Sequence, residues 1–130
     1  MSYLQVKDSD GLLSILHRHD LDLAKPFEHE VFLWDSWIAG TTHIDDIDTK
    51  VQDLHVGDQL NLYRESANKV DECAVIIKTA DDVKLGYLPQ KHNLVFSRLM
   101  DVGKLVFGKI IAMEKRGNWH KIKIEIYLRD

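Results

Sequence analysis

The chain is poor in cysteine and proline and has no surplus of positive charge, and each shortage closes off a class of protein. Its single cysteine, Cys73, cannot form a disulfide within the chain or build a Cys-based zinc cluster. No apolar run approaches the roughly 20 residues that a membrane-spanning helix needs. The N-terminus, Met1-Ser2-Tyr3-Leu4-Gln5-Val6-Lys7-Asp8, lacks the basic start and greasy segment of a secretory signal. Cytoplasmic residence, with no membrane partner, is the expectation. The 17 lysines and arginines face 21 acids, a net charge of −4, which counts against a protein that simply coats nucleic acid through many phosphate contacts. A small site gripping one end of a strand stays open. No P-loop and no Cys/His zinc spacing occurs.

What is there is ordinary in bulk: 130 residues, 45% apolar and 29% charged, enough for one domain with its own core. The basic residues lean C-terminal. Lys104, Lys109, Lys115, Arg116, Lys121, Lys123 and Arg129 face only Glu114 and Glu125 across 104–129, whereas acids dominate 45–58. A basic end would look like this, and so would strands with outward lysines.

Residues 1–30 read as an N-terminal helical extension, with Ser9-Asp10 capping a short helix over 11–18 and Pro26 ending the segment. The rest, 31–130, reads as a β domain. Strand signals fall at 31–38, 59–64, 74–78 and 83–88, then at 104–114 and in a final strand. In that last strand Ile122, Ile124, Ile126 and Leu128 alternate with Lys121, Lys123, Glu125 and Tyr127. The run Ala74-Val75-Ile76-Ile77 suggests burial on both faces. A helix is expected over 91–102, with Leu94, Val95, Leu99 and Val102 as its apolar stripe, Asn93 as its cap and Gly103 at its end. Gly108 marks a candidate bulge, and Lys115-Arg116-Gly117-Asn118 a hairpin loop. The fold class is therefore mainly β: a modified OB-like barrel with one helix inserted between strands and a short helix in front.

The polar turn between the second and third strands is the best place for chemistry. Arg64, Glu65, Asn68 and Asp71 fall within eight positions, flanked by β-formers. Asn and Asp often close their own turns by side chain–backbone bonds, and Arg64 could pair with Asp71 or Glu65 across it. A ligand role stands at even odds with that structural one. His43, Asp45, Asp46 and Asp48 form a second polar loop of hard-ion ligand types, but the calcium-loop pattern is not met. No metal and no cofactor are expected. Trp34, Trp37 and Trp119 read as packing, and Cys73 as a small hydrophobe in a buried strand.

Taken as an ordered set, these residues resemble the HIRAN domain family. The resemblance runs through Ile38-Ala39-Gly40-Thr41-Thr42-His43, then Gly57-Asp58-Gln59-Leu60-Asn61-Leu62-Tyr63-Arg64-Glu65. It continues in Asn68-Lys69-Val70-Asp71-Glu72-Cys73-Ala74-Val75 and Leu85-Gly86-Tyr87-Leu88-Pro89, and ends at Asn93 and Leu99-Met100-Asp101-Val102-Gly103. It implies a modified OB-type barrel. It also implies binding of single-stranded DNA at its 3′-hydroxyl end, without catalysis, with any helicase or nuclease activity supplied by other domains or in trans. Asn68 and Asp71 correspond to the family's turn residues that read the terminal nucleotide. Val70 stands where the helicase-linked version has an aromatic, Tyr87 where it has His, and Gln90 where it has a phosphate-binding Lys, with Lys91 adjacent. Thr41, Thr42 and His43 replace a basic, aromatic segment. The implied site is thus Thr41, Thr42, His43, Asn68, Asp71, Tyr87, Gln90 and Lys91. The alternative is a protein-interaction module that keeps the barrel and has lost the DNA site. A metal-dependent nuclease built on the His43–Asp48 loop is a third class.

Overall fold

A computed structural model describes residues 29–129. The expected N-terminal helix lies outside the described residues. The elements in chain order are β1 (Glu30–Trp37), a 3-10 turn (Thr41–His43), α1 (Ile47–Lys50) and a second 3-10 turn (Val51–Asp53). Then come β2 (Gln59–Arg64), β3 (Val75–Thr79), β4 (Lys84–Tyr87), α2 (Gln90–Asp101), β5 (Leu105–Arg116) and β6 (Trp119–Arg129). The six strands form one antiparallel sheet in the order β1-β6-β5-β2-β3-β4.

Period-two alternation sets the inner face. Leu60 and Leu62 of β2, Val75 and Ile77 of β3, and Ile122, Ile124 and Ile126 of β6 are all buried. Each such side chain contributes about 1.5–3 kcal/mol of transfer free energy. Ile76 is only half-buried, so β3 alternates rather than being covered on both sides. The sheet curls into a half-barrel until its two ends meet. Just past β1, Ala39 pairs with Tyr87 of β4 through two backbone hydrogen bonds, of 2.8 and 2.9 Å. Gly86 makes that approach possible, because a Cβ there would lie 2.3 Å from the Ala39 carbonyl oxygen.

Several sequence expectations shift. The bulge of β5 lies between Ile110 and Ala112, not at Gly108, which pairs regularly with Leu60 and Ile126. The β5–β6 turn is only Gly117-Asn118, because Arg116 already pairs with Trp119. Of the expected α2 stripe only Leu99 packs against the core, and the inward face is otherwise a different one. Asn93, Phe96 and Ser97 are buried and Met100 packs against the core, while Leu94, Val95 and Val102 are exposed. Polar groups are tolerated on the buried side because both are bonded: Asn93 donates to Asp71, and Ser97 donates to the Leu94 carbonyl. Asn93 is therefore the fourth residue of α2 and not its cap, while Pro89 occupies the cap position. The C-terminus behaves as expected. Gly103 has φ +90°, its N–H bonds the Met100 carbonyl, and the Lys104 N–H bonds the Leu99 carbonyl, a Schellman closure. Trp34 and Trp119 are surface residues rather than core packing. Cys73 is half-buried in the turn before β3 and outside any strand. Among the described residues no helix is long and apolar enough to cross a membrane.

Candidate functional site

The site is built on the turn that joins β2 to β3. Arg64 ends β2 and clamps the turn from outside. Its Nε and Nη2 donate to the two Asp101 oxygens at 2.9 and 3.4 Å. Its Nη1 donates to the carbonyls of Glu72 and Ala74, both at 3.1 Å. The end of α2 is thereby tied to the exit of the turn, and the guanidinium holds Asp101 below its ordinary carboxylate range. Arg64 thus hydrogen-bonds Asp101 and not Asp71 or Glu65, whose carboxylates are taken by Cys73, Asn93, Asn68 and Tyr87.

Inside the turn the polar groups fix one another. Asn68 Oδ1 accepts the N–H groups of Val70 and Asp71 at 2.8 and 2.9 Å. Asn68 Nδ2 donates to Glu65 Oε1 at 2.7 Å, and the Tyr87 hydroxyl donates to the same oxygen at 2.9 Å. Those two donors hold Glu65 below its usual range. Asp71 Oδ1 accepts the Cys73 N–H at 2.9 Å, and Oδ2 accepts Asn93 Nδ2 at 2.7 Å. The Asn93 amide, then the Cys73 N–H, depress the Asp71 pKa, so this carboxylate is ionised at neutral pH. An ionised carboxylate has about four acceptor positions; these bonds use two of them, and the Gln90 side chain contributes a weaker one.

An open cavity of about 230 Å³ sits against this turn, walled by Gly40, Asn68, Val70, Asp71, Tyr87 and Gln90 among others. It lies over the closure of the half-barrel, with the strand past β1 on one side and β4 with the start of α2 on the other. Four expected residues meet here: Asn68, Asp71, Tyr87 and Gln90. The other four do not line the cavity. Thr41 is 1% exposed and donates its hydroxyl to the His120 carbonyl at 2.9 Å, so it is a strut and not a wall. Thr42 and His43 are exposed beyond the cavity rim. Lys91 is exposed and its ammonium lies over the Trp37 ring, 4.8 Å from the centroid.

Two residues outside the expected site set contribute: Glu65, already singled out in the polar turn, and Asn93, expected only as a helix cap. Glu65 links Asn68 to Tyr87, and buried Asn93 holds Asp71. The signal for Asn93 was its spacing, since it shares a helical face with Phe96, Ser97 and Met100. In the second polar loop, Asp48 is taken up by His120 and Lys115. No three His, Cys, Asp or Glu side chains among the described residues converge as a metal site.

A profile of the HIRAN domain matches residues 31–129. The chain belongs to the HIRAN domain family. A crystal structure of a protein from Lactobacillus plantarum is 26% identical and superposes with a TM-score of 0.74 over 80% of this chain and 99% of that one. The HIRAN domain of human HLTF is 13% identical, with a TM-score of 0.61 over 77% of this chain and 78% of that one, a likeness of fold. No curated protein matches. The six-stranded half-barrel is thus the HIRAN fold, and the end cavity lies inside the matched region.

Proposed function

We propose that this HIRAN domain is a non-catalytic nucleic-acid-binding module that holds the 3′-hydroxyl end of single-stranded DNA in the cavity beside Asp71. DNA binding is the coarse reading that family membership supports. The observation that carries the finer one is the state of Asp71. It is ionised, fixed in place by Asn93 and the Cys73 N–H, set in a cavity wall, and left with unused acceptor positions. Such a group accepts a hydrogen bond from a terminal hydroxyl and repels a terminal phosphate. Asn68 keeps one amide hydrogen for the sugar or base. Gln90 opens α2, whose first turn has no side-chain cap, and the positive end of the helix there would favour the adjoining phosphate. The bound end would be presented to a helicase or nuclease acting in trans, in the cytoplasm.

Fluorescence anisotropy with a short labelled strand tests this at low and moderate salt. The expected result is preference for a 3′-hydroxyl over a 3′-phosphate, with Asp71→Asn abolishing the preference. Equal affinity for both ends, or no binding at low salt, overturns it. A protein-interaction role is the second reading, favoured by the exposed apolar side chains Leu94, Val95 and Val102 on α2. A protein that fails to bind DNA and runs as a dimer on sizing would support it.

A further inference from the structure

A second concavity begins two residues along the chain from the first, at Trp37. It has a volume of about 370 Å³ and is lined by Asp35, Ser36, Trp37, Ile111, Lys121 and Lys123. The register explains its make-up. Trp37 of β1 pairs across from Lys123 of β6, and Lys123 pairs across from the small Ala112 of β5. The bulge between Ile110 and Ala112 turns Ile111 outward into the floor. The arrangement is an indole beside two lysines, over an apolar base.

We propose that the single strand continues from the end cavity into this groove, where a base stacks on Trp37 and Lys91, Lys121 and Lys123 take the phosphates on its 5′ side. The inference rests on the end-binding reading above and extends it from one nucleotide to a short strand with a fixed direction.

Three observations carry it. First, the indole is held in place. The His92 ring meets Trp37 edge-on at 5.6 Å and Trp34 at 5.9 Å, and its Nδ1 lies 3.3 Å from the buried Ser36 hydroxyl. A platform fixed in this way loses little freedom when a base stacks on it. Second, the cations are available. Lys123 has no carboxylate partner among the described residues, Lys121 meets Glu114 at 3.9 Å and lies 5.8 Å over the Trp119 ring, and Lys91 rests on the indole itself. When a base stacks, the flexible Lys91 stem carries its ammonium to the phosphate alongside. Asp35 is the only acid in the lining, against Lys121 and Lys123, with Lys91 beside them on the indole. Third, the chain links the two sites at two points. Ala39, two residues beyond Trp37, lines the end cavity, a step of roughly 6.6 Å of extended chain. Gln90 lines the end cavity, and its neighbour Lys91 covers Trp37.

Oligothymidylates of two and eight nucleotides, both ending in a 3′-hydroxyl, separate the two sites by anisotropy across a salt series. Wild type should bind the octamer more tightly than the dimer. Trp37→Ala should weaken the octamer about tenfold, the scale of one stacked base, and leave the dimer unchanged. Lys123→Gln, on the surface and harmless to folding, should lower the salt slope for the octamer by about 0.7 and not for the dimer. Equal wild-type affinity for both lengths overturns the second site, as does an unchanged slope in Lys123→Gln. If octamer binding is lost in Asp71→Asn yet indifferent to Lys123→Gln, the end site stands and the groove alone falls. If wild type binds neither length, both readings fall together.

Discussion

Replacing Gly86 with alanine should open the half-barrel at its seam. A Cβ at this position would lie 2.3 Å from the Ala39 carbonyl oxygen and 2.7 Å from Ile38 Cγ2. Neither neighbour can yield cheaply, since one is backbone and the other belongs to a side chain 1% exposed in the core. The φ of +155° is also one that L side chains rarely adopt. Relief requires the strand past β1 to withdraw from β4, which breaks the two hydrogen bonds between Ala39 and Tyr87. Those bonds contribute about 1 kcal/mol each. Overpacking of the core adds about 1–3 kcal/mol. The expected loss is therefore about 3–5 kcal/mol, which lowers Tm by roughly 10–20 °C for a domain of this size. Gly108→Ala is the matched control. It also sits buried in a strand, but its Cβ would make only ordinary contacts of 3.6–3.8 Å. Thermal and urea unfolding followed by circular dichroism would measure both. A Gly86→Ala protein within about 1 kcal/mol of wild type, or a Gly108→Ala protein equally damaged, would refute the argument. Because Ala39 and Tyr87 are opposite walls of the end cavity, Gly86→Ala should also lose end binding at temperatures where it remains folded.

Arg64→Ala removes the clamp on the turn and should destabilise the domain by about 2 kcal/mol, with Arg64→Lys retaining only part of the effect because it lacks the planar fork; a urea midpoint that does not move would count against it. The folded-state pKa values of Glu65, Asp71 and Asp101 are all depressed. Their contribution to stability is present above the unfolded values near pH 4 and is lost as pH falls through the lower folded values. Urea midpoints should therefore be flat from pH 5 to 8 and drop below pH 4, with a shallower drop in Asp71→Asn; an identical acid profile in that variant would sink the assignment. Val70 is 87% exposed at the cavity wall, so Val70→Tyr should leave stability unchanged. It should also strengthen binding of a 3′-hydroxyl strand about tenfold by offering a stacking ring, and anisotropy would reveal any failure to gain.

What could be read from sequence was whatever depends on near neighbours. Alternation in 59–64 and 121–128 placed the inner face, because strand burial repeats every two residues. Glycine before a lysine marked the end of α2, because a Schellman closure needs a left-handed residue there. The stripe of α2 was misread for the opposite reason. Its buried side carries Asn93 and Ser97, and their partners, Asp71 and a backbone carbonyl, are what make burial tolerable. Without the fold, Leu94 and Val95 were the better guess. Arg64 shows the same limit, since Asp101 is 37 residues away and only the packing of α2 against the turn brings them together. Thr41 entered the site by resemblance and Lys91 by adjacency to Gln90; the structure makes Thr41 a strut and lays Lys91 over the Trp37 ring, outside the end cavity.

The turn itself did not require a choice between a structural and a ligand role. Asn68 spends its oxygen on the backbone of Val70 and Asp71, and the turn is rigid because of it. Asp71 spends half its acceptor capacity on Asn93 and Cys73, and is aimed because of it. Asp71 still lines the end cavity. Bonds that close a turn are therefore the same bonds that preorganise an acceptor, and their presence is no argument against a ligand. The acidic net charge is no stronger an objection. Screening confines the field of exposed charges to about 10 Å at moderate salt, so the charges beside a binding groove count for more than the net charge of the chain. A module with few phosphate contacts should bind weakly, release readily and depend on the end of the strand for its selectivity. Those properties suit handing an end to an enzyme better than covering a strand.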